Sequence, residues 1–346
     1  MIFVSGGTGL VGAHLLYDLV TTGKPVKALK RPTSNVSWIK KIFSYYSTEF
    51  EELFSKIIWV EGDTLDYHSL EDALEGVHTV YHCAAMVSFH GDDRDAMMTN
   101  NVKGTANLIE AALHNKVSRF CHVSSIAALG KTQDGSEINE ETYWTPSKRK
   151  SGYSQSKFFS EMEVWRGIEE GLEAVIVNPS IIIGPGNWDI GSPKLFQSIF
   201  KGLKYYTKGI TGFVDVRDVV KAMVSLSEDP NFQTIKNQRF ILNAGNISYQ
   251  EFFNQIADAL NRPRPKNFAS DVKLQIAWRM ARTASFFTGK RPIITRETVT
   301  GTNLNNNYSG DKIVKSTGFE YRDLNQSIKD IAEIFLNDMV INNKKQ

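Results

Sequence analysis

The chain has 346 residues, 41% of them hydrophobic, a formal net charge of +2 and two cysteines. That length can bury a large core and suits one big α/β unit or two closely joined domains. Acids and bases are interspersed, which removes the electrostatic case for nucleic acid; with no apolar run of about 18 residues and no charged-then-apolar leader, neither a spanning helix nor a signal peptide is expected, and the protein reads as cytoplasmic.

The first four residues, Met1-Ile2-Phe3-Val4, form a β-rich run. Ser5-Gly6-Gly7-Thr8-Gly9-Leu10-Val11-Gly12 follows, then a helical pattern over residues 13–20. A strand, a glycine turn and a helix opening on that turn form the setting in which a dinucleotide pyrophosphate rests on a helix N-terminus. Gly6 and Gly9 suit positive φ and close backbone approach to phosphate, and Gly12 lets helix and strand pack tightly. Thr8, Leu10 and Val11 complete this candidate loop, whose glycine spacing is wider than the usual Gly-x-Gly-x-x-Gly.

A second strand is predicted over residues 25–29. A carboxylate at its end would hydrogen-bond a ribose 2′-hydroxyl, but Lys30-Arg31 stand there, with Thr33 and Ser34 after them. Two cations and two hydroxyls suit a 2′-phosphate, with Arg31 the bidentate candidate, so the pattern points to NADP(H), with NAD(H) the alternative. A solvated basic pair is the competing reading. A helical insertion is expected over 38–54 and a third strand over 57–60. Beyond it Asp63, beside Thr64, either accepts the adenine amino group or caps a helix over 67–74. The fourth strand, 77–83, runs into Cys83-Ala84-Ala85, small residues that leave room for a flat cofactor. Cys83 and Cys121 read as buried thiols, and no metal site is expected. Residues 88–98 look like a mobile loop over a site. Asn101 either caps the next helix or reaches into that site.

A fifth strand, 119–123, delivers Ser124-Ser125 to the sheet edge that carries the glycine loop. Tyr153 and Lys157, four apart at the start of a long helical pattern, share one helix face. A carbonyl receiving hydride needs a proton on oxygen, and a tyrosine near its ordinary pKa of about 10 serves at neutral pH when a nearby cation favours its phenolate. Tyr-x-x-x-Lys arises roughly once by chance in a chain this rich in tyrosine and lysine. Its weight here comes from its place beside the serines and the glycine loop.

In chain order, Ser5 to Gly12, His82-Cys83-Ala84-Ala85, Asn101-Val102-Lys103-Gly104-Thr105, Val123-Ser124-Ser125, Tyr153-Ser154-Gln155-Ser156-Lys157, Asn178-Pro179-Ser180, Phe213-Val214-Asp215-Val216-Arg217-Asp218, Tyr308-Ser309, Lys312 and Gly318-Phe319 resemble the extended short-chain dehydrogenase/reductase family. The resemblance spans nearly the whole chain. Arg31 and Phe286-Phe287-Thr288-Gly289-Lys290-Arg291-Pro292 resemble its dihydroflavonol-reductase-like and 3β-hydroxysteroid-dehydrogenase-like branch. It implies an α/β fold: a doubly wound parallel Rossmann sheet over 1–178, joined by returning segments near 213–223 and 239–243, and a smaller C-terminal α/β substrate-binding domain over 179–346.

The same resemblance implies site roles. Ser125, chosen over Ser124 by counting back from Gly130, orients the carbonyl oxygen; Tyr153 exchanges the proton; Lys157 tunes Tyr153 and binds the nicotinamide ribose. Asn101 supports them, and Pro179 and Ser180 line the nicotinamide pocket. Sugar dehydratases of the family carry an acidic pair directly after the hydroxyl, where this chain has Ile126-Ala127. The expected activity is NADP(H)-dependent reduction of a ketone or aldehyde to an alcohol. A sugar epimerase with tightly held NAD and a non-catalytic nucleotide sensor are the alternatives. The partners expected are a small carbonyl or alcohol substrate and, by resemblance, a second copy of the chain. The apolar-aromatic run over 273–287, interrupted by Arg279 and Arg282, reads as a helix covering the substrate pocket or a subunit surface, ahead of interfacial membrane binding.

Overall fold

The computed structural model describes residues 1–132, 134–146, 150–228, 230, 232–288, 291, 295–299 and 302–343. Short β-rich runs form β1 (Ile2–Ser5), β2 (Val26–Lys30), β3 (Ile57–Glu61), β4 (Thr79–His82), β5 (Arg119–Val123) and β6 (Ala174–Pro179). After them come β7 (Ile181–Ile183), β8 (Tyr205–Tyr206), β9 (Ile210–Asp215), β10 (Gln238–Leu242), β11 (Gly245–Ser248) and β12 (Asn267–Phe268). The main sheet is parallel throughout, in the order β10-β6-β5-β4-β1-β2-β3. The chain leaves β1 toward β2 and β3 on one side and returns to β4, β5 and β6 on the other. The crevice beyond the carboxyl ends of β1 and β4 is therefore the switch point at which such sheets bind ligands.

Strand periodicity divides the apolar residues between two faces. Val4, Tyr81, Cys121 and Val175 pack with Leu15, Leu16 and Val219 on one side, and Phe3, Val80, Phe120 and Ile176 pack with Leu74 and Leu108 on the other. Helices on both faces explain why β4 and β6 are buried along their length. A separate core, with Trp188, Phe196, Phe213, Phe252 and Phe335, gathers around the three-stranded sheet β11-β9-β7. The Rossmann architecture with a smaller C-terminal α/β portion is thus as expected. Arg217, in the stretch after β9, pairs with Asp215 and Asp330 and ties the portions of the chain together rather than entering the crevice.

Several local expectations change. The helix expected over 38–54 is two, Ser37–Ser44 and Phe50–Ser55. Residues 88–98, expected as a mobile loop, include helical turns: Gly91–Asp93 is a 3₁₀ turn, Arg94–Met97 is helical and Met98–Lys103 is a π-helical turn leading into Gly104–His114. Local bonds hold this segment, since the Ser88 hydroxyl donates to Asp93 at 2.7 Å and Arg291 pairs with the same carboxylate at 2.8 Å. The helix Asp271–Thr288 forms, with Val272, Ile276 and Met280 exposed to solvent. Of the branch-like stretch at 286–292, Gly289, Lys290 and Pro292 lie outside the described residues.

Candidate active site

The glycine turn joins Ser5 to the helix Leu10–Thr21. Gly6 has φ +71°, and a Cβ there would lie 2.4 Å from the Ala84 nitrogen; one on Gly12 would lie 2.2 Å from the Gly6 oxygen. Both positions therefore require glycine. Gly9 is the helix N-cap, no side chain caps the first turn, and no acid stands in it. The helix N-terminus thus offers amides and a positive dipole end to an anion at the sheet edge. Thr8 is half-buried in the turn, and Leu10 and Val11 are half-buried in the first helical turn. Cys83 and Ala84 lie directly against Gly6, with Ala85 exposed beyond them. These contacts bring the turn, the helix N-terminus and the end of β4 together at the sheet edge.

At the end of β2 the expected pair of cations is reduced to one. Lys30 lies inside the strand, in register with Glu61 of β3, and the two form an ion pair at 2.7 Å. Arg31 is exposed and its guanidinium has no hydrogen-bond or ion-pair partner among the described residues. It lines an open recess of about 460 Å³ with Thr33, Glu61, Asp63 and Asp66. Asp63 does not cap the next helix: its Oδ1 accepts from the Leu65 N–H at 2.9 Å, while Asp66 caps the helix Tyr67–Ala73 through the Ser69 N–H. Thr64 packs against Gly104, where a Cβ would lie 2.7 Å from its Oγ1.

Ser151 caps the helix Gly152–Glu169 and fixes where its first turn begins. Tyr153, Lys157 and Glu161 then fall on one face. Ser125, just after β5, accepts from the Ala127 N–H at 3.1 Å and lies beside the Tyr153 hydroxyl; burial raises that phenol above its ordinary value, and the neighbouring Ser125 hydroxyl opposes the rise. Lys157 is 3% exposed, and its Nζ donates to the Val123 carbonyl at 2.7 Å. Burial pushes the amine down to about 8, against the raising effect of Glu161. The structure differs here from the expectation that Lys157 would favour a phenolate. The ammonium is directed to Val123, and burial holds the phenol above its ordinary value.

Ser124 turns inward and donates to Glu161 at 2.6 Å, which leaves Ser125 as the hydroxyl facing Tyr153. Glu161 also accepts from Asn178 at 2.7 Å and Arg239 at 3.1 Å, and Asn178 in turn holds the Ser125 carbonyl at 3.1 Å. This buried support escaped the sequence reading, although the i, i+4, i+8 spacing of Tyr153, Lys157 and Glu161 carried a signal for it. Asn101 stands one layer back from the hydroxyls. Its amide clamps Met86, accepting the N–H at 2.7 Å and donating to the carbonyl at 2.9 Å, and also donates to Ser156 at 3.1 Å. Pro179 ends β6, and the Ser180 hydroxyl donates to Leu242 of β10 at 3.1 Å. Phe89 was also missed: its ring meets the Tyr153 ring edge-on at 5.7 Å, and Thr295 donates to its carbonyl at 2.6 Å. Among the described residues no group of His, Cys, Asp or Glu could hold a metal ion, and no helix is long and apolar enough to cross a membrane.

Residues 2–245 match the model of the NAD dependent epimerase/dehydratase family. The chain is 30% identical over 342 residues to a putative dihydroflavonol 4-reductase of Synechocystis sp., covering 97% of this chain and 94% of the relative. It is 28% identical over 244 residues to cinnamoyl-CoA reductase 1 of Petunia hybrida, covering 66% and 69%. Among solved structures, that of gox2253 superposes with a TM-score of 0.77 at 27% identity, over 98% of both chains. A UDP-glucose 4-epimerase of Thermotoga maritima shares the fold, with a TM-score of 0.75 at 18% identity over 98% of this chain and 99% of that one. The chain belongs to the NAD dependent epimerase/dehydratase family, among the extended short-chain dehydrogenase/reductases, and is an NAD(P)-dependent enzyme.

Proposed function

We propose that the protein reduces a ketone or aldehyde on a moderately apolar substrate to the alcohol, using NADP(H). The observation that carries this reading is the convergence of Ser125, Tyr153 and the buried Lys157 at one sheet edge, with burial holding the phenol above its ordinary value and the Phe89 ring against it. When bound, the nicotinamide supplies hydride to the carbonyl carbon. Ser125 donates a hydrogen bond to the carbonyl oxygen and orients it, and Tyr153 delivers the proton that oxygen needs. Lys157 places a positive charge beside the ribose and the developing oxyanion, held in position by Val123 and Glu161. Asn101, through Met86 and Ser156, positions the segment that carries Phe89 and the helix that carries Tyr153. Pro179 and Ser180 wall the nicotinamide side, and residues beyond 178, apart from those that return to the main sheet, shape the substrate pocket.

The preference for NADP(H) rests on Arg31. In its recess Glu61 is occupied by Lys30, and Asp63 and Asp66 are occupied by backbone N–H groups, which leaves the guanidinium to meet a 2′-phosphate. Asp63 and Thr64 then lie beside the adenosine. No acid follows Ser125, whose next residues form the short turn Ile126–Ala128, so loss of water from a sugar has no general acid there. The test is to purify the protein, identify any nucleotide it carries, and follow NADPH oxidation against a panel of aryl and alicyclic ketones and aldehydes. Carbonyl-dependent oxidation of exchangeable NADPH supports the reading. Retained NAD with turnover of a nucleotide sugar refutes it in favour of an epimerase, and bound nucleotide without any turnover refutes it in favour of a sensor.

A further inference from the structure

The chain as a whole is nearly neutral, yet residues 201–208 and 262–283 carry nine lysines and arginines against a single acid, Asp271. The fold brings these stretches together. Strand β8 pairs with β12, the Lys208 ammonium lies over the Phe268 ring at 4.9 Å, and Lys273 donates to the Phe268 carbonyl at 3.3 Å. The neighbouring helix Asp271–Thr288 packs inward through Leu274, Ala277, Trp278 and Ala281, which are half-buried. Its outer face shows Val272, Ile276 and Met280, exposed by 69%, 54% and 67%. At 100° per residue these three span a stripe about 80° wide, with Lys273 along one margin and Arg279 and Arg282 toward the other. Arg279 bonds only within its own helix, and the ion pairs of the region, among the described residues, reduce to Arg264 with Asp258.

Three bulky aliphatic side chains at i, i+4 and i+8, edged by cations on long flexible stems that make no ion pair among the described residues, form the pattern that seats a helix in the headgroup layer of an anionic bilayer. We propose that this face docks on anionic lipid membranes, with the helix lying in the surface plane. The cations meet lipid phosphates and the aliphatic stripe enters the acyl boundary. Charge complementarity selects this occupant: a second copy of the same face would set cation against cation. The proposal does not depend on the reductase reading.

The experiment is cosedimentation of the full chain with vesicles of phosphatidylglycerol and phosphatidylcholine, and with phosphatidylcholine alone. The variant is the double substitution Ile276→Glu and Met280→Glu, with its unfolding midpoint measured alongside to show that the exposed changes leave the fold intact. The expected result is binding to the anionic vesicles only, release by about 0.5 M salt, and at least about tenfold weaker partitioning of the variant. The proposal is overturned by absence of binding to anionic vesicles at low salt or by equal binding of the variant. A concentration-dependent dimer that the variant dissolves, with no vesicle capture, also overturns it and assigns the face to a second copy.

Discussion

Replacing Lys157 by methionine should make the protein more stable while destroying its activity. Methionine keeps an unbranched chain of similar reach and removes the amine. Holding the ammonium at about 8 instead of 10.5 in a site 3% exposed corresponds to about 3 kcal/mol of destabilisation at neutral pH, at about 1.36 kcal/mol per pH unit. Losing the bond to the Val123 carbonyl returns about 1 kcal/mol. The variant is therefore expected to be about 2 kcal/mol more stable at pH 7. Below the native value of about 8 the amine is protonated in both states and the whole penalty applies. Between that value and 10.5 the unfolded chain binds more protons than the native one, so wild-type stability rises with pH and the variant's advantage disappears. Urea unfolding of both proteins without nucleotide, at about pH 7 and about pH 10, measures the effect. A variant less stable than wild type at neutral pH, or a difference that ignores pH, would refute the picture of a buried, strained ammonium.

The cofactor end and the two serines can be tested separately. Arg31→Ala should raise the KM for NADPH about tenfold, the value of one charge-assisted hydrogen bond to phosphate, and leave that for NADH unchanged. Lys30→Ala should change neither much, because Glu61 already holds that ammonium; equal effects of the two substitutions in steady-state kinetics would sink the assignment. Ser125→Ala should cut kcat on the order of 100-fold with little change in thermal stability. Ser124→Ala should instead cost about 1–2 kcal/mol of stability, since it removes a bond to the buried Glu161, and should leave most of kcat. The opposite pattern would return the catalytic role to Ser124.

The parallel sheet and the glycine turn between its first strand and helix were legible because their signals are local. β-rich runs, a glycine turn and a helix start are each written within a few residues. What lay outside the sequence reading depends on register and on distant partners. Lys30 looked like a phosphate ligand until β2 ran one residue further and set it opposite Glu61. For Asp63 the sequence left adenine contact and helix capping open; the cap is Asp66, which sits at the helix entrance with the right backbone angle to accept the Ser69 N–H. Residues 88–98 read as a mobile loop because they are polar, but Ser88 and Asp93 satisfy each other and Arg291 rather than solvent. Tyr153 and Lys157 were singled out by their place beside the serines and the glycine loop, whereas the direction of the ammonium, toward Val123, depends on how β5 meets the helix.

The central claim is that Tyr153 protonates a substrate oxygen while hydride passes from the nicotinamide to an external carbonyl carbon. It is tested most directly with NADPH deuterated at C4 and a reducible carbonyl, comparing wild type with Tyr153→Phe. The account predicts deuterium on the carbinol carbon of the released alcohol for wild type, and no labelled product from a variant that still binds NADPH. Labelled alcohol formed at an undiminished rate by the variant, or label that never leaves the bound nucleotide in the wild type, would contradict it.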